Sequence, residues 1–237
     1  MDIRGVVFDV DDTLYDMAQP FFGAYQSIYG SKHDLPMQAL FLAFRCYSDA
    51  RFSDAQTGRM SMEELYIYRV RMTLHDYGIE VTDEEALSFQ RRYMELQYQI
   101  HLSPVMTALL DELQPRVAIG IITNGESRHQ RNKLCSLDVS PWIPEAQIIV
   151  SGDYPFHKPN VKIFREMERR LHRAPEQLLY VGDAYDLDIV GAHAAGWESI
   201  WFNHRRRRIP VGASCRPNAE VHTEEELRAV LIERIGK

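Results

Sequence analysis

Three short runs of apolar, largely β-branched residues limit the fold of this 237-residue chain more than any other feature. They are Gly5–Val10, Val117–Thr123 and Leu178–Gly182. Near-continuous apolar runs of this length suit strands buried on both faces, as in a parallel sheet. Gln147–Ser151 and Ser199–Phe202 are weaker candidates of the same kind. Between these runs, Val105–Gln114, Ser127–Ser136, Val161–Leu171 and Asp186–Ala195 read as helices. Strands alternating with helices predict an α/β layer fold with right-handed crossovers.

The alternation breaks after the first strand. No comparable run follows until Val117, and the interval reads as helices over Phe21–Tyr29, Met37–Tyr47, Met62–Tyr77 and Asp83–His101. Their apolar and aromatic residues recur at mixed spacings of three and four. Thr82-Asp83-Glu84-Glu85 resembles a capping box, and Thr223-Glu224-Glu225-Glu226 opens a last helix to about Ile235. An all-helical insert of roughly 85 residues therefore interrupts the α/β core, enough for a small domain of its own. The expected division is a core of residues 1–16 and 102–237 and a helical insert of residues 17–101.

Bulk properties exclude several classes. Hydrophobic residues make up 45% and charged residues 26%, which argues against disordered or fibrous chains. The formal net charge of −7 gives no general reason to bind nucleic acid or an anionic membrane. No apolar stretch approaches the ~20 residues of a spanning helix. Met1–Gly5 lacks the charged-then-apolar shape of a signal peptide. Cys46, Cys135 and Cys215 are too widely spaced for a metal or disulfide framework. The expected compartment is a reducing cytoplasm.

Chemistry gathers where the strands end. The first run leads into Asp9-Val10-Asp11-Asp12-Thr13-Leu14, three carboxylates in four residues after a buried strand. Such crowding is unfavourable without a cation, and Mg²⁺ takes hard oxygen ligands; a solvated turn is the plainer alternative. The second run ends in Thr123-Asn124-Gly125, whose hydroxyl and amide can donate to an anion or simply make a turn. Lys158-Pro159-Asn160 places an ammonium just before a helix. The third run ends in Gly182-Asp183, with Asp188 five residues on. Singly these are weak signals. Together they set carboxylates for a cation and donors for an anion at C-terminal strand ends, where open parallel sheets bind ligands. That combination suits phosphoryl transfer.

The ordered set D-x-D-x-T-L, T-N-G, K-P and G-D-x(4)-D resembles the haloacid dehalogenase-like (HAD) hydrolase superfamily. The resemblance covers residues 3–15 and 103–202. The insert looks like that superfamily's helical cap of the first type. Asp11-Asp12-Thr13-Leu14-Tyr15, Gly120–Gly125 and Gly191–Trp197 look most like its pyrimidine 5′-nucleotidase and small-phosphatase branch. The resemblance implies a Rossmann-like core with a cap whose closure excludes water and sets specificity. Asp9 would be the nucleophile, and Asp11 the acid for the leaving alcohol and then the base for water. Thr123 and Asn124 would bind the phosphoryl group, and Lys158 would neutralise it. Mg²⁺ would be held by Asp9, the backbone carbonyl of Asp11 and Asp183, with Asp188 acting nearby or through water. Asp12 and Thr13 are expected to stabilise the turn, and Asp186 to be a surface residue.

The implied activity is a Mg²⁺-dependent phosphatase for small phosphorylated metabolites, with nucleoside 5′-monophosphates ahead of sugar phosphates. It would work as a monomer or homodimer, with no nucleic acid or membrane partner. A phosphomutase, a 2-haloacid dehalogenase and a catalytically silent binding protein are the alternatives. Asp11 bears on the choice, because a leaving alkoxide needs a proton and a leaving halide does not. Arg205–Arg208 is expected to be a solvated loop. His101, His157 and His193 are expected to be structural or exposed. Arg45, Arg51 and Tyr47 are candidate substrate contacts in the insert.

Overall fold

The computed structural model describes residues 2–30, 34–213 and 215–236. Six parallel strands form one sheet: β1 (Gly5–Phe8), β2 (Ala118–Thr123), β3 (Ile148–Val150), β4 (Leu178–Gly182), β5 (Glu198–Phe202) and β6 (Ala219–Val221). Their order is β3-β2-β1-β4-β5-β6, the doubly wound arrangement in which the connections reverse direction between β1 and β4. In register, Gly5–Phe8 pair with Ala118–Ile121 on one side and Leu178–Val181 on the other. β1 is therefore central, and all four of its residues are buried. The sequence shows no sign of β6, a three-residue edge strand with Glu220 at its middle.

Successive side chains of a strand face opposite ways. Val7, Ile122, Leu178 and Tyr180 pack against Phe164, Met167, Ala192 and Ala195. These come from α7 (Val161–Leu171) and α8 (Val190–Ala195). Val6 and Phe8 point the other way and are equally buried. The remaining helices of the core are α5 (Pro104–Leu113), α6 (Ser127–Ser136) and α9 (Glu224–Ile235). Ser103 caps α5 at the Met106 N–H. At the start of α9, Thr223 accepts from the Glu226 N–H, but the Glu226 carboxylate turns to the His222 N–H.

The chain divides into two compact units, Met1–Asp16 with His101–Lys237, and Met17–Ile100. The second is all helical: α1 (Ala18–Tyr29), α2 (Met37–Gln56), α3 (Met62–His75) and α4 (Asp83–Gln97). α2 runs nine residues past its expected end at Tyr47. Ser61–Glu64 and Thr82–Glu85 make full capping boxes for α3 and α4. Phe21 sits among Phe41, Phe44, Phe89 and Tyr93, with ring centroids 4.9–6.3 Å away. The Arg69 guanidinium is buried over the Phe44 ring at 4.4 Å and donates to Ser48 and Gln90. Arg45, Arg51 and Tyr47 bond within this unit, to Asp49, Asp54 and Asp76 respectively. Among the described residues no helix is long and apolar enough to cross a membrane.

Candidate active site

The connections reverse between β1 and β4, where open parallel sheets bind ligands, and the acids lie at the carboxyl ends of these two strands. Asp9 follows β1 directly and extends the ladder, its N–H donating to the Val181 carbonyl at 2.9 Å. Asp183 follows β4, and the Trp201 indole N–H holds its carbonyl at 2.7 Å. Asp188 lies within a π-turn, Tyr185–Ile189, that precedes α8, where a regular helix from Asp186 was expected. Its Oδ2 accepts from the Ala184 N–H at 2.9 Å. One carboxylate oxygen each of Asp9, Asp183 and Asp188 fall within 4.8 Å of one another. Gly182 makes this possible, since a Cβ there would lie 2.3 Å from Asp188 Oδ2. Gly182→Ala is expected to cost about 1–3 kcal/mol and to displace Asp188. A thermal melt that matches the parent protein would show that the turn has slack.

Lys158 joins the group from the loop before α7. Its side chain is 1% exposed and its Nζ lies 2.8 Å from Asp9 and 2.7 Å from Asp188. It also donates to the Tyr180 hydroxyl at 2.9 Å, and that hydroxyl donates to the Ile122 carbonyl. Burial works against the Lys158 ammonium, but Asp188 and Asp9 outweigh it and hold the group charged, well above its usual range. Asn124 takes a different place from the one expected. Its side-chain amide accepts from the Lys158 N–H at 2.9 Å and donates to the Lys158 carbonyl at 3.0 Å. Its side chain thus positions Lys158 rather than being turned to an anion. Thr123 ends β2 with its hydroxyl 2.6 Å from Gln130 Nε2.

Asp11 is not a member of the three-carboxylate group. Lys133 Nζ lies 2.8 and 3.1 Å from its two oxygens, and Tyr15 and Gln130 donate at 2.6 and 3.0 Å. Burial pushes its pKa up, yet Lys133, Tyr15 and Gln130 together hold it well below the usual carboxylate range. Asp12 adopts a left-handed backbone at φ 56°.

The arginine run is the clearest departure from expectation. Arg205 is a buried ion-pairing residue, its side chain only 6% exposed. It holds both oxygens of Asp12, at 2.6 and 2.7 Å, and Asp16 at 2.5 Å. Arg207 reaches Asp183 at 3.0 Å. The loop after β5 is therefore tied to the acids that follow β1 and β4; Arg206, Arg207 and Arg208 are exposed, Arg207 while paired with Asp183. Asp12, expected to stabilise its own turn, is also the anchor for Arg205.

Charge and burial test whether a divalent cation fits. Six carboxylates (Asp9, Asp11, Asp12, Asp16, Asp183 and Asp188) meet four cations (Lys133, Lys158, Arg205 and Arg207). If all are ionised, two negative charges remain. Burial, with the repulsion of Asp188 and Asp11, pushes Asp9 up to about 7 despite Lys158. Burial and the charges of Asp12, Asp188 and Asp9 push Asp183 well above its ordinary value. Buried hard oxygens short of positive charge are what Mg²⁺ requires, so the residues fit the ion.

Gln130, Lys133, Tyr180 and Arg205 escape a motif-based reading. Two of them carry a signal that periodicity can find. α6 buries Gln130 and Lys133 together with Leu134, and a helix that turns polar residues inward is unusual.

Fold and site together define a hydrolase, and residues 3–196 match the profile of the haloacid dehalogenase-like hydrolase family. The chain belongs to that family. It is 26% identical to YfnB of Bacillus subtilis over 96% of this chain and 95% of that one. The solved structure of YfnB, bound to magnesium, superposes with a TM-score of 0.71, covering 98% of this chain and 99% of that one at 24% identity. The glyceraldehyde 3-phosphate phosphatase of Methanopyrus kandleri is 28% identical over 84% of this chain and 83% of its own. The pyrimidine 5′-nucleotidase YjjG of Escherichia coli is 31% identical over 54% of this chain and 56% of its own.

Proposed function

We propose that the protein is a Mg²⁺-dependent phosphatase that hydrolyses small phosphomonoesters through a phosphorylated Asp9. The observation that carries this reading is the Asp9 carboxylate on Lys158 at the sheet's reversal point, with a second acid, Asp11, two residues on. The relatives named above include a glyceraldehyde 3-phosphate phosphatase and a pyrimidine 5′-nucleotidase, and they support the same class of substrate.

In the first half-reaction an Asp9 oxygen attacks phosphorus, the P–O ester bond breaks, and the leaving alkoxide takes a proton from Asp11. Lys158 offsets part of the cost of ionising the buried Asp9 and faces the charge of the phosphoryl oxygens. Thr123 donates its hydroxyl to one of them. In the second half-reaction water attacks the acyl phosphate while Asp11 takes its proton. Inorganic phosphate leaves and Asp9 is restored. With Lys133 beside it Asp11 is ionised, the state the second half uses; the first half requires a proton taken up when the ester binds. Asp9, Asp183 and the Asp11 carbonyl would hold Mg²⁺, with Asp188 behind them. The ion would supply charge neutralisation of the phosphoryl oxygens.

The test is a phosphomonoester panel of nucleoside monophosphates, sugar phosphates and triose phosphates, assayed for free phosphate with Mg²⁺ and with EDTA. Release of phosphate that EDTA abolishes is the expected result. Isomerised substrate without free phosphate would instead mark a mutase, and halide release from haloacids in EDTA would overturn the mechanism. Binding is read independently of turnover. Mg²⁺ at 100 times its Kd should stabilise the fold by about 2.7 kcal/mol, and Asp183→Asn should remove most of that increment.

A further inference from the structure

The mechanism leaves Gln130 and Lys133 unassigned. They lie three residues apart on α6, so they share one helix face, and both are buried, at 1% and 3% exposure. Lys133 spans both Asp11 oxygens. Gln130 Nε2 lies within bonding distance of Asp11 Oδ2, the Thr123 hydroxyl and the Asn124 carbonyl, at 3.0, 2.6 and 3.0 Å. Two amide hydrogens thus face three acceptors, while the carbonyl oxygen of the same side chain is buried with no donor. One residue is shared between the acid and the hydroxyl at the end of β2. An ammonium and an amide are costly to bury for packing alone, and here they converge on one carboxylate.

We infer that Lys133 and Gln130 are positioning residues. They fix the Asp11 carboxylate between α6 and Thr123 and so govern how fast a poor leaving group is expelled. The inference rests on the reading of Asp11 as proton donor. An ion pair that merely braces the fold would slow all substrates alike. A clamp on the acid would slow only those whose leaving oxygen needs a proton.

Leaving-group dependence separates the two. The substrates are glycerol phosphate, whose alkoxide needs protonation, and 4-nitrophenyl phosphate, whose phenolate leaves without it. The readout is kcat/KM, which covers steps only up to the first phosphoryl transfer. Lys133→Met should lose about 10²–10³-fold on glycerol phosphate, within the range for a misplaced general acid, and less than about fivefold on 4-nitrophenyl phosphate. Lys133→Arg, which keeps a cation, should bring the ratio of the two losses back towards one. If Lys133→Met does not fold, as judged by its thermal melt, Lys133→Gln takes its place. Equal losses on both substrates, no loss, or no recovery with Lys133→Arg overturns the clamp. Asp11→Asn is assayed alongside. A selective loss there without one in the Lys133 variants rejects the clamp alone, whereas equal losses in Asp11→Asn reject the proton-donor reading beneath it.

Discussion

Asp9→Asn should fold like the parent protein and lose phosphatase activity by about four orders of magnitude or more. The two halves of this expectation have separate causes. An amide at position 9 keeps the shape of the side chain but has no anionic oxygen with which to attack phosphorus. It also relieves the crowding of three buried carboxylates while leaving Lys158 its partner Asp188 at 2.7 Å. The melting temperature should stay within about 4 °C of the parent, equivalent to less than ~1 kcal/mol. Quenched reactions of the parent protein with labelled substrate should trap a phosphate sensitive to hydroxylamine, and the variant should trap none. Activity above one per cent of the parent's would remove Asp9 from the nucleophile's role.

Lys158→Met should damage both stability and turnover. The cation is 1% exposed and is the charge that Asp9 and Asp188 share. Removing one member of a buried ion pair leaves its partner uncompensated, at a cost of about 3–5 kcal/mol. Here two carboxylates lose their partner at once. The melt should fall accordingly, and the double variant Lys158→Met/Asp188→Asn should recover part of the loss by removing one stranded charge. Neither protein should turn over phosphomonoesters. If the double variant melts no higher than the single one, repulsion between the acids is not what destabilises it.

How legible the molecule is in its sequence depends on whether cause and effect are neighbours along the chain. β1, β2 and β4 are readable because burial on both faces writes an apolar run into consecutive residues. The acids are readable because Asp9 and Asp183 immediately follow such runs. The helical unit is readable from spacing and from Thr82–Glu85. Tyr180 is hidden because an aromatic inside an apolar strand looks like packing, and only the fold sets its hydroxyl on Lys158. Asn124 looks like an anion donor in a turn until Lys158, 34 positions on, occupies its amide. Arg205–Arg208 misleads for the same reason. Four consecutive cations resemble a solvated loop, and the partner that buries Arg205 stands 193 positions earlier. The π-turn around Asp188 is hidden for another reason, since acids at a helix start suit the helix dipole equally well.

The central place of β1 also bears on the order in which the protein is made. Of the six strands, the one that leads into Asp9 is made first, yet both of its neighbours come from far along the chain. At ~5–20 residues per second a ribosome needs roughly 10–30 s to travel from Phe8 to Leu178. The all-helical unit, whose contacts lie within a single stretch, is complete before β2 has appeared. Until β2 appears this apolar strand waits without a partner, until β4 appears one of its edges stays open, and Asp12 waits longer still for Arg205. Newly made chains should therefore be most prone to aggregation during synthesis of the residues between the helical unit and β4. Chaperone dependence that peaks for nascent chains of intermediate length would be its signature.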